Sequence, residues 1–297
     1  MNNLPTVGFI GLGLMGHAMA TKLLTAGFSL HIHSRTKRRA EDLIARGAIW
    51  YSNPAQMAQT LGADIIIICV TDSQALQDVI IGANGLVDQL TADSLLIDMG
   101  TSRVDLTQSL AAKITQTGSH YLDAPVSGGQ KGALEASLSV MVGGEESQLV
   151  RAMPALEAMA ARITHVGPVG CGQIAKTANQ MIVGTSVGIV AEALFLAQQA
   201  GAEPAKVRAA LTGGFADSKI LQIHGQRMVE QAYTPGARAT TQLKDMLQAS
   251  ALARQNGMEL PLLSRSTEQW QAMVDAGQGD LDQAGYLAWI AQLNDQC

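Results

Sequence analysis

The sequence predicts an α/β fold in which a doubly wound parallel sheet is followed by an all-α C-terminal domain. Three observations lead to this prediction. In the first half, short apolar runs alternate with stretches of helical periodicity, and alternating βα units form parallel sheets. A G-x-G-x-x-G pattern lies between the first expected strand and the first expected helix. From about Gly167 onward, strand-like runs vanish and helical periodicity dominates.

The glycine pattern follows an apolar run from Val7 to Ile10, which we expect to be a short buried strand. A helix is expected next, from about Met15 to Thr25, and then a second strand within FSLHIHSRT. In this βαβ setting the glycines allow a tight turn, a close approach to a pyrophosphate and close helix packing, and the helix N-terminus attracts phosphate. The alternative is a glycine-rich turn without a ligand. The predicted dinucleotide-binding residues are Gly11, Leu12, Gly13, Leu14, Met15 and Gly16.

The end of the second strand predicts which dinucleotide binds. NAD-selective enzymes usually have an acidic residue there, which accepts hydrogen bonds from the ribose 2′-OH. Here Ser34 occupies that position and a basic cluster follows it. We expect Arg35 to pair with a 2′-phosphate, with hydrogen bonds from Ser34 and Thr36; alternatively, the basic run only begins a solvated helix. The sequence predicts that NADP(H) is preferred and that NAD(H) can also bind.

The alternation of strands and helices continues through the first half. Further strands are expected in DIIIICV, SLLIDMG, HYLDAPVSGG and LSVMVGG. Ligands of doubly wound sheets lie beyond the carboxyl ends of the strands. This rule places five more residues near the cofactor: Val70, Thr71, Asp72, Thr101 and Ser127.

The second half predicts a helical domain. With the boundary near VGPVGCG, we expect an NADP-binding Rossmann domain over residues 1–166 and a substrate-binding and oligomerisation domain over residues 167–297. This second domain begins with a proline-free stretch of about 30 residues, which as a helix would be about 45 Å long. The long helix and the alanine- and methionine-rich segments after it predict a homodimer or homotetramer.

Composition narrows the class of protein. The chain has 297 residues, of which 47% are hydrophobic and 15% charged, so disorder is not expected. The net charge of −5 argues against nucleic-acid and anionic-membrane partners. We find no apolar run long enough to span a bilayer and no secretory signal in the first residues. Three scattered cysteines, Cys69, Cys171 and Cys297, suggest neither a disulfide framework nor a zinc site. We expect a cytoplasmic enzyme without a bound metal.

One lysine stands out in the long helix. GQIAKTANQM sets Lys176 among small and apolar residues, with Asn179 three positions later and hence on the same helix face. A solvated surface lysine is one interpretation. The other is a proton donor for carbonyl reduction, a role that lysine can fill when burial or a neighbouring cation lowers its pKa.

The chain resembles the β-hydroxyacid dehydrogenases, the group that contains 3-hydroxyisobutyrate dehydrogenase, tartronate semialdehyde reductase and the glyoxylate/succinic semialdehyde reductases. The resemblance covers essentially the whole chain. The motifs that carry it, in order, are VGFIGLGLMGHAMA, DAPVSGG with LSVMVGG, GCGQIAKTANQ, LKDMLQA and GQGDLDQAG.

The resemblance implies a role for individual residues. Lys176 matches the family's catalytic acid/base, and Asn179 matches an amide that positions the substrate; some relatives carry that amide one residue later, at Gln180 here. Thr101 and Lys244 match cofactor contacts. Ser127, Gly128 and Gly129 match the segment that binds the substrate's carboxylate or hydroxyl group, so a small carboxylate is the implied substrate.

Three departures from the family pattern leave the substrate open. The chain has CVTD after its fourth strand, Gly100 where serine is frequent, and Ala237 where phenylalanine often forms a wall of the pocket. Two alternatives to a hydroxyacid dehydrogenase remain: an imine reductase on the same fold, and a non-catalytic NADP(H)-sensing module. Lys176 argues against both, because imine reductases usually lack this lysine and a sensor needs no proton donor.

Overall fold

A computed structural model of the chain describes residues 4–62 and 64–295. The chain divides into two compact units, Met1–Lys176 and Thr177–Cys297. The domain division expected from the sequence, 1–166 and 167–297, stays a prediction. Cys297 lies outside the described residues.

The first unit is built on one sheet, in which all strands except β3 and β9 form at runs where strands were expected from the sequence. The strands are β1 (Val7–Ile10), β2 (Leu30–His33), β3 (Ile49–Tyr51), β4 (Ile65–Ile68), β5 (Leu95–Asp98), β6 (His120–Asp123), β7 (Val126–Ser127), β8 (Leu138–Gly143) and β9 (Ala160–Gly167). The order β3-β2-β1-β4-β5-β6 is parallel throughout. Strand β8 pairs antiparallel with β6 and β7 and parallel with β9.

Helices connect these strands and form the second unit. They are α1 (Leu14–Thr25), α2 (Glu41–Ala45), α3 (Pro54–Leu61), α4 (Ser73–Ile81), α5 (Val104–Thr115), α6 (Gly129–Leu134), α7 (Glu146–Glu157), α8 (Cys171–Gln199), α9 (Pro204–Leu211), α10 (Lys219–Val229), α11 (Ala239–Gln255), α12 (Pro261–Met273) and α13 (Tyr286–Asp295). Short 3₁₀ turns lie at Lys37–Ala40, Val87–Gln89 and Gln283–Gly285. The predicted fold class, a Rossmann-like sheet followed by an all-α region, is confirmed.

Burial explains why the central strands are continuous apolar runs. All four residues of β1 and of β4 are buried, because helices cover both faces of a doubly wound sheet. Strands β3 and β9 were not expected from the sequence; β3 has three residues, none of them buried. Most residues of β9 are exposed, so β9 lacks the apolar run that identifies the central strands.

The second unit has its own core around three aromatic side chains. Trp270 is completely buried, and its ring meets Tyr286 edge to face at 4.8 Å between centroids. Trp289 meets the same tyrosine at 5.0 Å. The indole N–H of Trp270 donates to the Gly184 carbonyl of α8 at 3.1 Å, so the polar atom of this core residue has a partner.

Helix α8 corrects one expectation from the sequence. Its 29 residues are long and apolar enough to cross a membrane by length and composition, whereas no such run was expected. The reason is that Lys176 and Glu192 are its only charged residues. One such helix is weak evidence for a membrane span, because core helices of soluble proteins meet the same criterion.

Candidate active site

The turn after β1 has the geometry that a dinucleotide phosphate needs. Gly11 has φ +100°, and a Cβ there would lie 2.2 Å from the Cys69 carbonyl oxygen. A Cβ at Gly16 would lie 1.9 Å from the Gly11 oxygen. At Gly13, the N-cap of α1, an added Cβ would meet no described atom within 4 Å. Two glycines thus permit the tight turn, and the third leaves open space at a helix N-terminus, which fits a bound phosphate.

Three residues expected to contact the 2′-phosphate of the ribose follow the end of β2. Ser34 is buried, and its hydroxyl donates to the Thr36 carbonyl at 3.0 Å. Arg35 and Thr36 are exposed. Lys37 lies with its ammonium group 5.1 Å from the centre of the Trp50 ring. The hydroxyl proton of Ser34 is therefore engaged within the loop, while the guanidinium of Arg35 is accessible to an incoming phosphate.

The segment after β4 is ordered by its own side chains. Asp72 caps α4 by accepting from the Ala75 N–H at 2.9 Å, and the Thr71 hydroxyl donates to the same carboxylate at 2.9 Å. A Cβ at Gly100 would lie 3.0 Å from the Val70 carbonyl oxygen. The small residue at position 100 therefore lets the segments after β4 and β5 approach closely.

A buried carboxylate pair lies at the carboxyl ends of β5 and β6. Asp98 and Asp123 are register partners in this parallel pair, and both are completely buried. Asp98 accepts from the Gly100 N–H at 2.9 Å and from the Ser102 hydroxyl at 3.0 Å. Burial is the main cause that raises the pKa of Asp98 to about 6, and the charge of Asp123 adds to it.

Asp123 holds the start of α8. Its two carboxylate oxygens accept from the Gly170 N–H at 2.7 Å and from the Gln173 N–H at 2.8 Å. Burial raises the pKa of Asp123, and these backbone hydrogen bonds oppose the rise. Close packing requires glycine nearby, since a Cβ at Gly143 would lie 2.5 Å from this carboxylate. A residue of β6 thus fixes the first turn of the long helix.

Lys176 lies in the next turn of α8, and it is only 7% exposed. The interpretation as a solvated surface lysine is therefore wrong. Cys171 and Cys69 are free thiols. Burial, and then the nearby charge of Asp98, raise the pKa of Cys69 to about 12, so this thiol is not a reactive nucleophile.

The segment after β6 is shaped by two glycines with positive φ. Gly128 has φ +135° and Gly129 has φ +62°. Gly128 is the N-cap of the short helix α6, and Ser127 pairs with Ser139 of β8. A Cβ at Gly129 would meet no described atom within 4 Å. The backbone here is thus open to close approach by a ligand.

In the second unit, four polar residues form a chain of contacts between α8 and α11. Asn179 donates to the Gln180 side-chain oxygen at 2.7 Å. The Gln180 amide in turn donates to Asp245, whose other oxygen lies 3.2 Å from the Lys244 ammonium nitrogen. Gln180 and Asp245 are both buried. Asp245 was not predicted as a site residue, although it follows Lys244 in the LKDMLQA motif.

No role was predicted from the sequence for Asp98, Asp123 or Gln173. A usable signal exists for the acids, because each ends a buried parallel strand, where site residues of such sheets lie. Within the part of the chain that the structure describes, no group of three or more His, Cys, Asp or Glu side chains could hold a metal ion.

Comparisons with known proteins identify the family. Residues 6–167 match the family model described as the NAD binding domain of 6-phosphogluconate dehydrogenase. Residues 170–290 match the one described as NAD-binding of NADP-dependent 3-hydroxyisobutyrate dehydrogenase.

Relatives extend over nearly the whole chain. It is 38% identical over 281 residues to 2-hydroxy-3-oxopropionate reductase of Escherichia coli (strain K12), covering 95% of each. Its structure is similar to Mycobacterium tuberculosis 3-hydroxyisobutyrate dehydrogenase with L-serine, with TM-score 0.87 and 28% identity over 97% of this chain and 99% of that one. Psf3 in complex with NADP⁺ and 2-OPP also gives TM-score 0.87, with 25% identity over 96% and 100%. The chain therefore belongs to the β-hydroxyacid dehydrogenase family of NAD(P)-dependent oxidoreductases, as its motifs predict.

Proposed function

We propose that the chain is an NADPH-preferring reductase of small aldehyde acids, such as tartronate semialdehyde or succinic semialdehyde, and that Lys176 is its general acid/base. The observation that carries this proposal is the burial of Lys176, which is 7% exposed. Burying a lysine ammonium group costs free energy that pairing and hydrogen bonds must offset, so a buried lysine is a candidate for a functional role. Helix α8, which carries Lys176, begins at the carboxyl ends of β5 and β6. Ligands of such sheets bind at this edge.

The proposed chemistry needs one proton transfer from the protein. When bound, the nicotinamide supplies or accepts the hydride. As negative charge builds on the carbonyl oxygen, the Lys176 ammonium group stabilises it and then donates a proton. In the oxidation direction, the neutral amine accepts the proton of the alcohol.

The substrate's carboxylate is assigned to the segment after β6. Gly128 and Gly129 lack a Cβ, so their backbone N–H groups can approach an anion closely, and Ser127 adds a hydroxyl group. We assign Asn179 to orienting the substrate. Gln180 holds the Asn179 amide through their 2.7 Å hydrogen bond, so the two amides share the role.

The cofactor is assigned to the loops after the parallel strands. The proposed contacts are Gly11, Leu12, Gly13, Leu14, Met15, Gly16, Ser34, Arg35, Thr36, Val70, Thr71, Asp72, Thr101 and Lys244. The open space at Gly13 supports a pyrophosphate position there. Since Ser34 donates to Thr36, we expect Arg35 to supply most of the preference for NADP(H), while NAD(H) can still bind.

We further propose a homodimer or homotetramer in the cytoplasm, with residues 167–297 as the substrate and oligomerisation domain. On α8, Ile182, Ile189 and Leu196 are 68%, 60% and 70% exposed. They recur every seven residues and thus form one stripe along the helix, as the apolar positions of packed helices do. A second copy of the chain is the proposed partner for this stripe.

A direct assay of the coenzyme tests the proposed reaction. NADPH consumption would be followed with tartronate semialdehyde, succinic semialdehyde and a cyclic imine, and NADP⁺ reduction with 3-hydroxyisobutyrate. We expect turnover with at least one aldehyde acid and none with the imine. Turnover of the imine alone would identify an imine reductase, and binding of NADPH without turnover of any compound would favour a sensor.

A further inference from the structure

The side chain of Gln173 bridges two backbone groups that flank Thr101. Its Nε2 donates to the Gly100 carbonyl at 3.0 Å, and its Oε1 accepts from the Ser102 N–H at 3.1 Å. Gln173 is completely buried. The amide therefore pairs with the segment after β5 through one donor and one acceptor, much as a neighbouring strand would.

The backbone of the same residue is fixed from another strand. The Gln173 N–H donates to Asp123 of β6 at 2.8 Å. Its side-chain nitrogen also lies 3.4 Å from the Asp98 carboxylate of β5. Lys176 is three residues further along the same helix, a spacing that puts both residues on one face. Any shift of the first helical turn is thus transmitted to Lys176 and opposed by both strands.

We propose that Gln173 is a positioning residue, which keeps the cofactor-side Thr101 and the lysine-bearing turn of α8 in one register. The inference rests on the proposed function, because it takes Lys176 as the proton donor and Thr101 as a cofactor contact. A displacement of about 1 Å at a reacting group costs on the order of 10²-fold in rate. The bridge therefore affects turnover more than the binding of either ligand.

The bridge needs a donor and an acceptor at the same time. In Q173M the shape is kept, and the two hydrogen bonds of the bridge are lost together with the contact to Asp98. In Q173E the acceptor is kept, but the introduced carboxyl group can donate to the Gly100 carbonyl only while it is protonated. An ionised group would face that carbonyl oxygen and the Asp98 carboxylate. Q173E therefore places the bridge under the control of pH.

The sign of this pH dependence follows from the surroundings. Burial and neighbouring carboxylates raise the pKa of an introduced carboxyl group above its usual value. Of the titratable groups nearby, Asp98 of β5 and Asp123 of β6 contact Gln173 directly. Tyr121 of β6 and Cys69 after β4 lie near Asp98, and Lys176 lies three residues further along the same helix. The protonated form restores the bridge at mildly acidic pH, and it is lost as the pH rises.

The test compares Q173M and Q173E with the wild type and with S94A. Ser94, the control position, is also completely buried and hydrogen-bonded, but it lies directly before β5, at the end of the strand away from Asp98. Steady-state kinetics with NADPH and an aldehyde acid would be measured from mildly acidic to mildly alkaline pH. We expect Q173M to lower kcat roughly 10- to 100-fold with KM and the NADPH dissociation constant changed less than threefold, and S94A to leave kcat unchanged.

The decisive readout is the ratio of the Q173E and wild-type kcat values. We expect this ratio to be highest at acidic pH and to fall at least tenfold as the pH rises. A ratio that does not depend on pH, or a wild-type kcat in Q173M, would overturn the proposal. Hydrogen exchange of the Ser102 amide checks the bridge itself, and it should be faster in Q173M than in S94A.

Failure of the proposed function gives a different pattern. If K176A turned over like the wild type, Lys176 would not be the proton donor. A pH-dependent kcat ratio in Q173E would in that case still show that the bridge aligns Thr101. If K176A were instead inactive and the Q173E ratio did not depend on pH, the bridge would be overturned while the proposed function stood.

Discussion

The Asp123 carboxylate accepts the Gln173 N–H at 2.8 Å and so joins the end of β6 to the first turn of α8. The same carboxylate accepts the Gly170 N–H at 2.7 Å. A carboxylate at a helix N-terminus is stabilised by the positive end of the helix dipole. This contact sets where α8 begins and therefore where Lys176 lies along it.

D123A should destabilise the protein because two buried N–H groups lose their acceptor. We expect the free energy of unfolding to fall by about 3 kcal/mol, since a buried donor without a partner costs about 1–3 kcal/mol. Urea denaturation of the wild type, D123A and the exposed control D88A would measure it. Equal midpoints for D123A and D88A would show that Asp123 does not stabilise the helix start.

K176A should separate catalysis from binding. Loss of a positioned acid/base lowers kcat by roughly 10²–10⁴, whereas the NADPH dissociation constant should stay within a factor of about three of the wild-type value. Steady-state kinetics and fluorescence titration measure the two quantities. A K176A enzyme with wild-type turnover would remove Lys176 from the mechanism.

The sequence predicts the parts of this site that depend on local patterns. Gly11, Gly13 and Gly16 follow an expected strand and precede an expected helix, so their spacing together with this setting identifies the turn. The role of Lys176 depends on the family resemblance, because its burial cannot be read from neighbouring residues in the helix. The structure shows that Lys176 is buried, whereas the local periodicity of the sequence could not decide between a buried and a solvated lysine.

The contacts around Gln173 could not be predicted in the same way. They require the register that places Asp98 beside Asp123, together with the approach of a helix start far along the chain. Neither is encoded in a local motif. Strand β9 was missed for a related reason, since its exposed residues show no apolar run.

The exposed stripe on α8 predicts how the oligomer forms. Ile189 lies at its centre and is 60% exposed. I189E should weaken the assembly because burying an unpaired carboxylate in an interface is unfavourable. Sedimentation at micromolar concentration should show a smaller species for I189E but not for L134E, which alters a leucine of similar exposure in the first unit. A monomeric wild type would contradict the proposed assembly.

R35D should change coenzyme preference. One charge-assisted contact to phosphate contributes about 1.5–3 kcal/mol, which corresponds to roughly 10- to 100-fold in affinity. Solvent screening at an exposed arginine reduces this, so we expect the wild type to prefer NADPH by about tenfold or more. In R35D the KM for NADPH should rise much more than that for NADH.

The control for this prediction is R162D, which alters an exposed arginine of β9. Kinetics with both coenzymes at fixed ionic strength should show R162D to be like the wild type. A wild type that favours NADH would mean that Arg35 does not contact the ribose phosphate.

Asp282 should make the protein sensitive to acid. Its carboxylate accepts from Arg227 at 2.9 Å and from the Gly236 N–H at 2.9 Å. Burial by itself raises the pKa of Asp282, but the His224 ring, whose Nδ1 lies 3.7 Å from the carboxylate, and hydrogen bonds from backbone N–H groups outweigh burial and lower the pKa to about 2. The residue thereby ties the loop before α11 to the segment before α13.

The sign of the effect follows from that depressed pKa. The stabilisation is fully present above the pKa of the unfolded state, near 3.8, and is lost as the pH falls toward about 2. Since one pKa unit corresponds to 1.36 kcal/mol, the contribution is about 2 kcal/mol. Unfolding would be followed from neutral pH to about pH 2 for the wild type, D282N and the exposed control D275N. D282N should be less stable at neutral pH and lose less stability on acidification, because the titrating group is gone. Parallel pH curves for D282N and the wild type would show that Asp282 does not control acid stability.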